Sequence, residues 1–246
     1  MDGDKSFEDV VQTMNSLLKP LLLAFRCRKD EFSGETIWAV VNTKSDELFK
    51  SATPYTPSEI VFLKRIIDHI MSSSNDTYCI NQHEATRLSK DILTTFTYKA
   101  AESALETFAN DDWLVSFSSG KYTLGTRALL DLDTYLRDQF PNDTRECYMC
   151  KDICIMGEMC NNCDISMHKL CINRLFKNGT VRRAACPSCN EPWESINSFG
   201  PTDVIPDRKP RSARSSPSAD NKNLGNVEYE DDDSNEIQPP RKIRHY

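Results

Sequence analysis

The stretch CYMCKDICIMGEMCNNCDISMHKLC places six cysteines and one histidine within residues 147–171, and CPSC adds two cysteines at 186 and 189. Thiols at this density serve as bridges, as a nucleophile or as metal ligands, and the spacing favours the last. Cys147 with Cys150, Cys160 with Cys163, and Cys186 with Cys189 are C-x2-C pairs, while His168 and Cys171 form an H-x2-C pair. A two-residue gap closes a tight turn that aims both donors at one point, and two such pairs make one tetrahedral zinc site. Eight ligands therefore predict two zinc ions. Only four residues separate Cys163 from His168. A link that short passes from one site to the next more readily than it folds back on one ion, so alternating use of the pairs is favoured. In this cross-braced arrangement Cys147, Cys150, His168 and Cys171 hold one ion. Cys160, Cys163, Cys186 and Cys189 hold the other.

The competing chemistries fare worse. Stable disulfides need an oxidising compartment, and no secretion signal is read at the N-terminus. LLKPLLLAF (17–25) looks like a short apolar h-region, but Asp2, Asp4, Glu8 and Asp9 precede it and Pro20 breaks it; a signal peptide wants a basic start. A nucleophilic cysteine needs an unpaired thiolate with its own base. Cys154 is the one cysteine of the cluster outside the pairs and is read as a packed thiol, with a substitute ligand the lesser reading. Cys27 and Cys79 read as lone buried thiols. All eight ligand positions can be filled by the protein, whereas a catalytic zinc keeps one open for water. The ions are thus expected to be structural, with no catalytic side chain. The unit from Cys147 to Trp193 spans 47 residues, too few for a self-sufficient core. Structural zinc contributes an apparent ~10–16 kcal/mol per site, so metal must carry this fold.

Around the finger, 246 residues allow one to three domains, and 39% hydrophobic residues suffice for globular cores. No run approaches the roughly 18–20 apolar residues of a spanning helix, so no membrane partner is expected. The formal net charge of -7 argues against broad nucleic-acid affinity. Residues 6–25 carry apolar positions at helical spacing, with Ser6 a candidate N-cap and Pro20 an interruption; this reads as a packing helix. TIWAVVN (36–42) reads as a buried strand. Thr56, Pro57 and Glu59 form a capping box with proline at N1, opening a helix with Ile60, Leu63, Ile67 and Ile70 on one face. Residues 82–88 suggest a short second helix and 98–110 a third. WLVSF and KYTLG flank Ser118, Ser119 and Gly120 as a β-hairpin. Three helices and a hairpin are the order of a winged helix, and a last helix over 126–140 leads to the finger. His69 and His83 read as ordinary isolated histidines. The third helix carries Glu102 and Glu106 against the one cation Lys99, and Asp111 and Asp112 follow, the wrong sign for tracking phosphates. Direct DNA reading by it is disfavoured. Residues 197–246 alternate basic and acidic runs with few apolar residues and read as a disordered tail; RKPRSAR and RKIR are candidate nuclear-localisation or DNA-contact patches.

The order of four cysteines, one histidine and three cysteines resembles RING-variant and PHD fingers. A PHD finger usually carries tryptophan where Ala184 stands. Met149 between the first two cysteines, Pro187 after the seventh and Trp193 on the flank favour RING. GETIWAVVN (34–42), WLVSFSSGKYTLGTRALLDLDTYLRDQFP (113–141) and CNNCDISMHKLC extend the resemblance, over about residues 7–195, to the non-SMC element one family. These are RING-variant subunits of the complex built on structural-maintenance-of-chromosomes proteins five and six. The resemblance implies an α+β chain with winged-helix domains before a cross-braced two-zinc finger. The boundaries are a partial first winged-helix region over 1–53, a second winged helix over 54–141, the finger over 147–193 and the tail over 197–246. Family members normally carry further helices before the segment that starts here, so the first winged helix reads as truncated.

The resemblance also implies a nuclear, chromosome-associated role in DNA repair and recombination. Its partners would be a MAGE-type subunit, a kleisin, SMC five and SMC six, with DNA contact mainly through the complex. As a ubiquitin ligase, the RING would bind a charged ubiquitin-conjugating enzyme through Met149, Pro187 and neighbouring loop residues, and catalyse by positioning. Many active RINGs place an arginine just after the last cysteine; here it is Asn190, so activity is expected to be weak and dependent on the MAGE partner. The alternative is a non-enzymatic zinc-finger scaffold for the same complex. A chromatin reader is disfavoured by Ala184.

Overall fold

The computed structural model describes residues 6–43, 54–73, 76–90, 92, 96–177, 185–193, 197–201 and 206, and these lie in one compact unit. Ala184 and the charged segments after 206 fall outside the described residues.

Helix α1 (Phe7–Leu18) starts on a reciprocal capping box between Ser6 and Asp9, which satisfies two orphan N-terminal donors at once. It does not run to residue 25 as the periodicity suggests. Pro20 sits in a 3-10 turn, Leu22 turns left-handed at φ 59, and the chain leaves as strand β1 (Leu23–Lys29). Strand β2 (Thr36–Asn42) pairs with it antiparallel from Leu23↔Asn42 to Lys29↔Thr36. In the turn, the Asp30 carboxylate accepts from the Phe32 and Ser33 N–H groups, and Gly34 supplies φ 76, an Asx turn. One expectation fails here: β2 buries only Val41, so it is not the buried strand its apolar content suggested. α1 packs as expected, although none of its residues is fully buried. What the stripe packs on is the hairpin: Phe7 meets Trp38 edge-on at 5.1 Å and Phe25 stacks on Trp38 at 5.0 Å.

The central unit follows. α2 (Pro57–Met71) opens on the Thr56–Glu59 capping box. β3 (Ile80–Asn81) precedes α3 (Gln82–Arg87), and α4 (Tyr98–Asn110) leads to the hairpin β4 (Leu114–Ser116) and β5 (Lys121–Leu124). The sheet order is β3-β5-β4. Helix, strand, two helices and a two-stranded wing are the winged-helix order, and the two-residue β3 is the part that pattern alone does not reveal. Gly120 closes the wing at φ 72, its N–H donating to Phe117 O at 2.8 Å. Phe62, Ile66, Ile67 and Ile70 of α2 meet Leu105 and Phe108 of α4 in a fully buried core. At ~25 cal/mol per Å² of apolar surface, these side chains dominate the stability of the unit.

The last expected helix is two: α5 (Thr126–Asp131) and α6 (Asp133–Gln139), broken where Leu132 leaves helical geometry at φ -102, ψ 8. The finger holds β6 (Gly157–Met159), β7 (Ser166–His168) and α7 (Lys169–Lys177). Its sheet takes a third strand, β8 (Ser198–Phe199), in the order β7-β6-β8. The finger therefore does not end at Trp193, and the tail does not start at 197. Phe199 is buried against Tyr78 at 6.2 Å between ring centroids, an apolar anchor inside a segment that looked polar.

Candidate metal centre

Three C-x2-C pairs sit in the same local device. Lys151, Asp164 and Asn190, each four residues after the first cysteine of its pair, adopt φ 66, 56 and 61. The Lys151 N–H donates to Cys147 O at 2.9 Å, and the Asn190 N–H donates to Cys186 O at 2.9 Å. The cysteine amides are paired across the turn: Cys147 N–H to Asp152 O, Cys160 N–H to Ile165 O and Cys186 N–H to Glu191 O, at 2.8–2.9 Å. Left-handed backbone is tolerated best by Asn and Asp among non-glycine residues, which accounts for two of the three side chains found there. The His168–Cys171 pair is built differently, with His168 ending β7 and Cys171 in the first turn of α7.

These turns gather the donors into two groups, Cys147, Cys150, His168 and Cys171, and Cys160, Cys163, Cys186 and Cys189, with the ligand atoms of each within 4.8 Å of one another. The chain thus visits the groups alternately. Cys160 and Cys189 Sγ are 3.6 Å apart and Cys163 and Cys186 Sγ 3.5 Å, while His168 Nδ1 lies 3.4 Å from Cys150 Sγ and 3.9 Å from Cys171 Sγ. A disulfide needs ~2.05 Å, whereas a tetrahedral ion with Zn–S of about 2.3 Å sets edges of about 3.8 Å. The donor sets fit zinc in both number and spacing. Thiols this close also resist joint ionisation. Hydrogen bonds from Cys150 and Cys171 pull the Cys147 thiol down, and facing Cys147 pushes Cys150 up. In the second group, the Glu191 backbone N–H pulls Cys189 down to about 6, and burial pushes Cys186 up to about 12. A dication among the donors relieves that opposition.

His168 turns its other nitrogen toward the N-terminal hairpin. Nε2 lies 3.2 Å from Glu31 Oε1 and 3.2 Å from Ile153 O. Glu31 also accepts from the Met156 N–H at 2.9 Å and from Arg28 Nη2 at 2.8 Å, and the same Nη2 donates to Ile153 O at 2.7 Å. Glu31, Cys154 and His168 make a third close group. It shares His168, and Glu31 is already engaged by Arg28 and backbone N–H groups, so it is not counted as a separate third donor site. Cys154 is fully buried, lies 3.5 Å from Met156 O, and burial pushes its thiol up to about 12. It is a packed thiol. Cys27 is instead exposed and Cys79 half-buried, against expectation. Glu31 and Arg28 carry no motif, and no sequence signal would have found them.

Met149 is exposed in the first knuckle and Pro187 is half-buried in the last. Trp193 is buried, donating from Nε1 to Glu158 Oε2 at 2.9 Å and facing Phe176 at 6.2 Å. His69 and His83 are exposed and outside both donor groups, and Glu102 and Glu106 stand exposed on α4. A second surface feature is apolar: Phe7, Leu17, Leu21, Trp38 and Val40 all stand exposed on α1, the turn after it and β2.

Residues 2–132 match the family model described as the Nse1 non-SMC component of the SMC5-6 complex, and residues 147–189 match that of a RING-like domain. The chain belongs to the Nse1 family. It is 28% identical over 193 residues to the human non-structural maintenance of chromosomes element 1 homolog, covering 76% of this chain and 68% of that protein. The Schizosaccharomyces pombe non-structural maintenance of chromosomes element 1 is 28% identical over 193 residues, covering 78% and 79%. Among solved structures, a chain of an Nse1-Nse3-Nse4 complex superposes with a TM-score of 0.61 at 28% identity, covering 76% of this chain and 78% of that one. The chain thus combines an α+β fold shared with that solved chain and a cysteine-rich RING-like region.

Proposed function

We propose that this chain is a RING-type ubiquitin ligase subunit of an SMC5-6 complex, acting in the nucleus in DNA repair and recombination. The observation that carries the reading is the pair of complete four-donor groups visited alternately by the chain. Cys147, Cys150, His168 and Cys171 would hold one zinc, and Cys160, Cys163, Cys186 and Cys189 the other. Zinc there supplies rigidity, since four protein donors leave no site for substrate. The chain's own contribution is positioning: Met149 and Pro187, on knuckles fixed by the ligands, would contact a ubiquitin-conjugating enzyme and hold its thioester for attack.

A MAGE-type subunit, and with it a kleisin, is the proposed partner of the exposed apolar face of Phe7, Leu17, Leu21, Trp38 and Val40. The solved structure that the chain resembles, an Nse1-Nse3-Nse4 complex, supports partners of this kind. SMC five and SMC six would be reached through these subunits. DNA would be met mainly through the complex, because α4 presents Glu102 and Glu106 outward. In a discharge assay with the partner present, Met149→Asp should slow ubiquitin release at least tenfold while leaving both zinc ions bound. Equal rates would remove this surface from the mechanism.

The alternative is a non-enzymatic scaffold of the same complex, favoured by Asn190. That residue sits at φ 61, where many active RINGs carry arginine. The scaffold reading expects Met149→Asp to leave repair intact and His168→Ala to disrupt assembly.

A further inference from the structure

The first donor group differs from the second in where its support comes from. His168 is 93% removed from solvent, and its Nε2 faces a glutamate 137 residues earlier in the chain, at 3.2 Å. Glu31 stands just after β1 in the turn of the N-terminal hairpin, outside the finger altogether. It is buried there with Arg28, the two forming an ion pair of 2.8 Å. Removing one partner of such a pair leaves the other a buried, uncompensated charge. The bonds that the two make beyond each other go to the finger, to Ile153 O, the Met156 N–H and His168 Nε2, while Arg28 Nε is buried without a partner. A histidine that ligates through Nδ1 is oriented by what its other nitrogen donates to, and loss of such an outer partner typically costs 10–100-fold in metal affinity. The second group consists of four cysteines and reaches no carboxylate of the hairpin among the described residues.

We propose that Glu31, held by Arg28, is the outer-shell positioning residue of the first zinc site, so that docking of the N-terminal hairpin and metal loading of that site are one coupled event. The carboxylate, together with the Ile153 carbonyl oxygen at the same 3.2 Å, keeps the proton on Nε2 and presents the Nδ1 lone pair to the ion. The ion in turn fixes the ring against which the hairpin turn is docked. Coupling of this kind is reciprocal: emptying the site loosens the hairpin, and disturbing the hairpin loosens the ion. The proposal rests on the zinc reading of the donor groups, and metal content separates the two. Wild-type protein carrying no metal would sink the zinc reading, whereas the tests below need two ions to be present.

The experiment uses the full chain loaded with zinc, or with cobalt as a spectroscopic probe. Cobalt distinguishes a three-sulfur, one-nitrogen site from a four-sulfur site by its d–d bands. In a chelator titration, Glu31→Gln should release one of two equivalents 10–100-fold more readily than wild type, with the change confined to the three-sulfur bands. Glu31→Asp, which keeps the charge, should recover part of the loss. Release of both ions unchanged, or weakened equally, overturns the proposal. A second measurement uses the unmutated chain: hydrogen exchange over residues 23–42 should rise in step with loss of the three-sulfur bands, while that of α2 stays slow. A hairpin that remains protected after the first site has emptied overturns the proposal regardless of how the variants fold.

Discussion

Arg145 Nη2 donates to Asp76 Oδ2 across 2.7 Å, and its guanidinium lies 5.3 Å above the ring of Phe199. The Gly200 N–H donates to the Asp76 backbone oxygen at 2.8 Å. Asp76 thus holds both the segment entering the finger and the strand that completes its sheet. The ion pair is too exposed to contribute much by itself; the buried ring beneath it is the larger effect. Phe199→Ala should destabilise the folded unit by roughly 3–5 kcal/mol, read as a lower urea midpoint. An unchanged midpoint would mean that β8 is an ornament.

Gly125 lies in ordinary backbone at φ -83, so only space explains it. A Cβ there would stand 2.0 Å from the Asp112 carbonyl oxygen, and backbone cannot step aside cheaply. Gly125→Ala should cost on the order of 3 kcal/mol, whereas Gly120→Ala meets open space and costs only the strain of its positive φ. Thermal melts of the two variants should rank in that order.

Metal removal should divide the chain. The winged-helix core is closed by fully buried Phe62, Ile66, Leu105 and Phe108, while the finger depends on its donor groups. Chelation should therefore abolish hydrogen-exchange protection over β6 and β7 and leave α2 and α4 protected. Uniform loss of protection would show one cooperative unit; uniform retention would show a finger that folds without metal.

Tyr78 and Tyr135 are both pushed up to about 12 from 10.0, chiefly by burial. They stay neutral in the folded chain where the unfolded chain ionises them. Their contribution is fully present below pH 10 and is lost as pH rises to about 12. Absorbance at 295 nm should show these two phenols titrating above pH 10, with Tyr55, which burial raises further, following them. The fall in stability across that window should be shallower in Tyr78→Phe.

How much of this was legible beforehand follows from what each contact depends on. The two-donor turns of the cysteine cluster, the Thr56–Glu59 cap, the α4 boundaries and the wing turn at Gly120 all follow from residues a few positions apart. Local geometry decides such features, so spacing and side-chain type determined them. Other features depended on partners far away in the chain. α1 carried the stripe of a packing helix and does pack on the hairpin, yet Phe7 and Leu17 stay exposed, because burial depends on what a helix meets. The strand at Ser198–Phe199 was hidden in a polar segment, since one phenylalanine becomes an anchor only when Tyr78 and Arg145 are brought beneath and above it. Tertiary structure alone brought Glu31 to His168. A carboxylate 137 residues from a ligand carries no periodicity, and only the folded hairpin brings it within 3.2 Å of that ring.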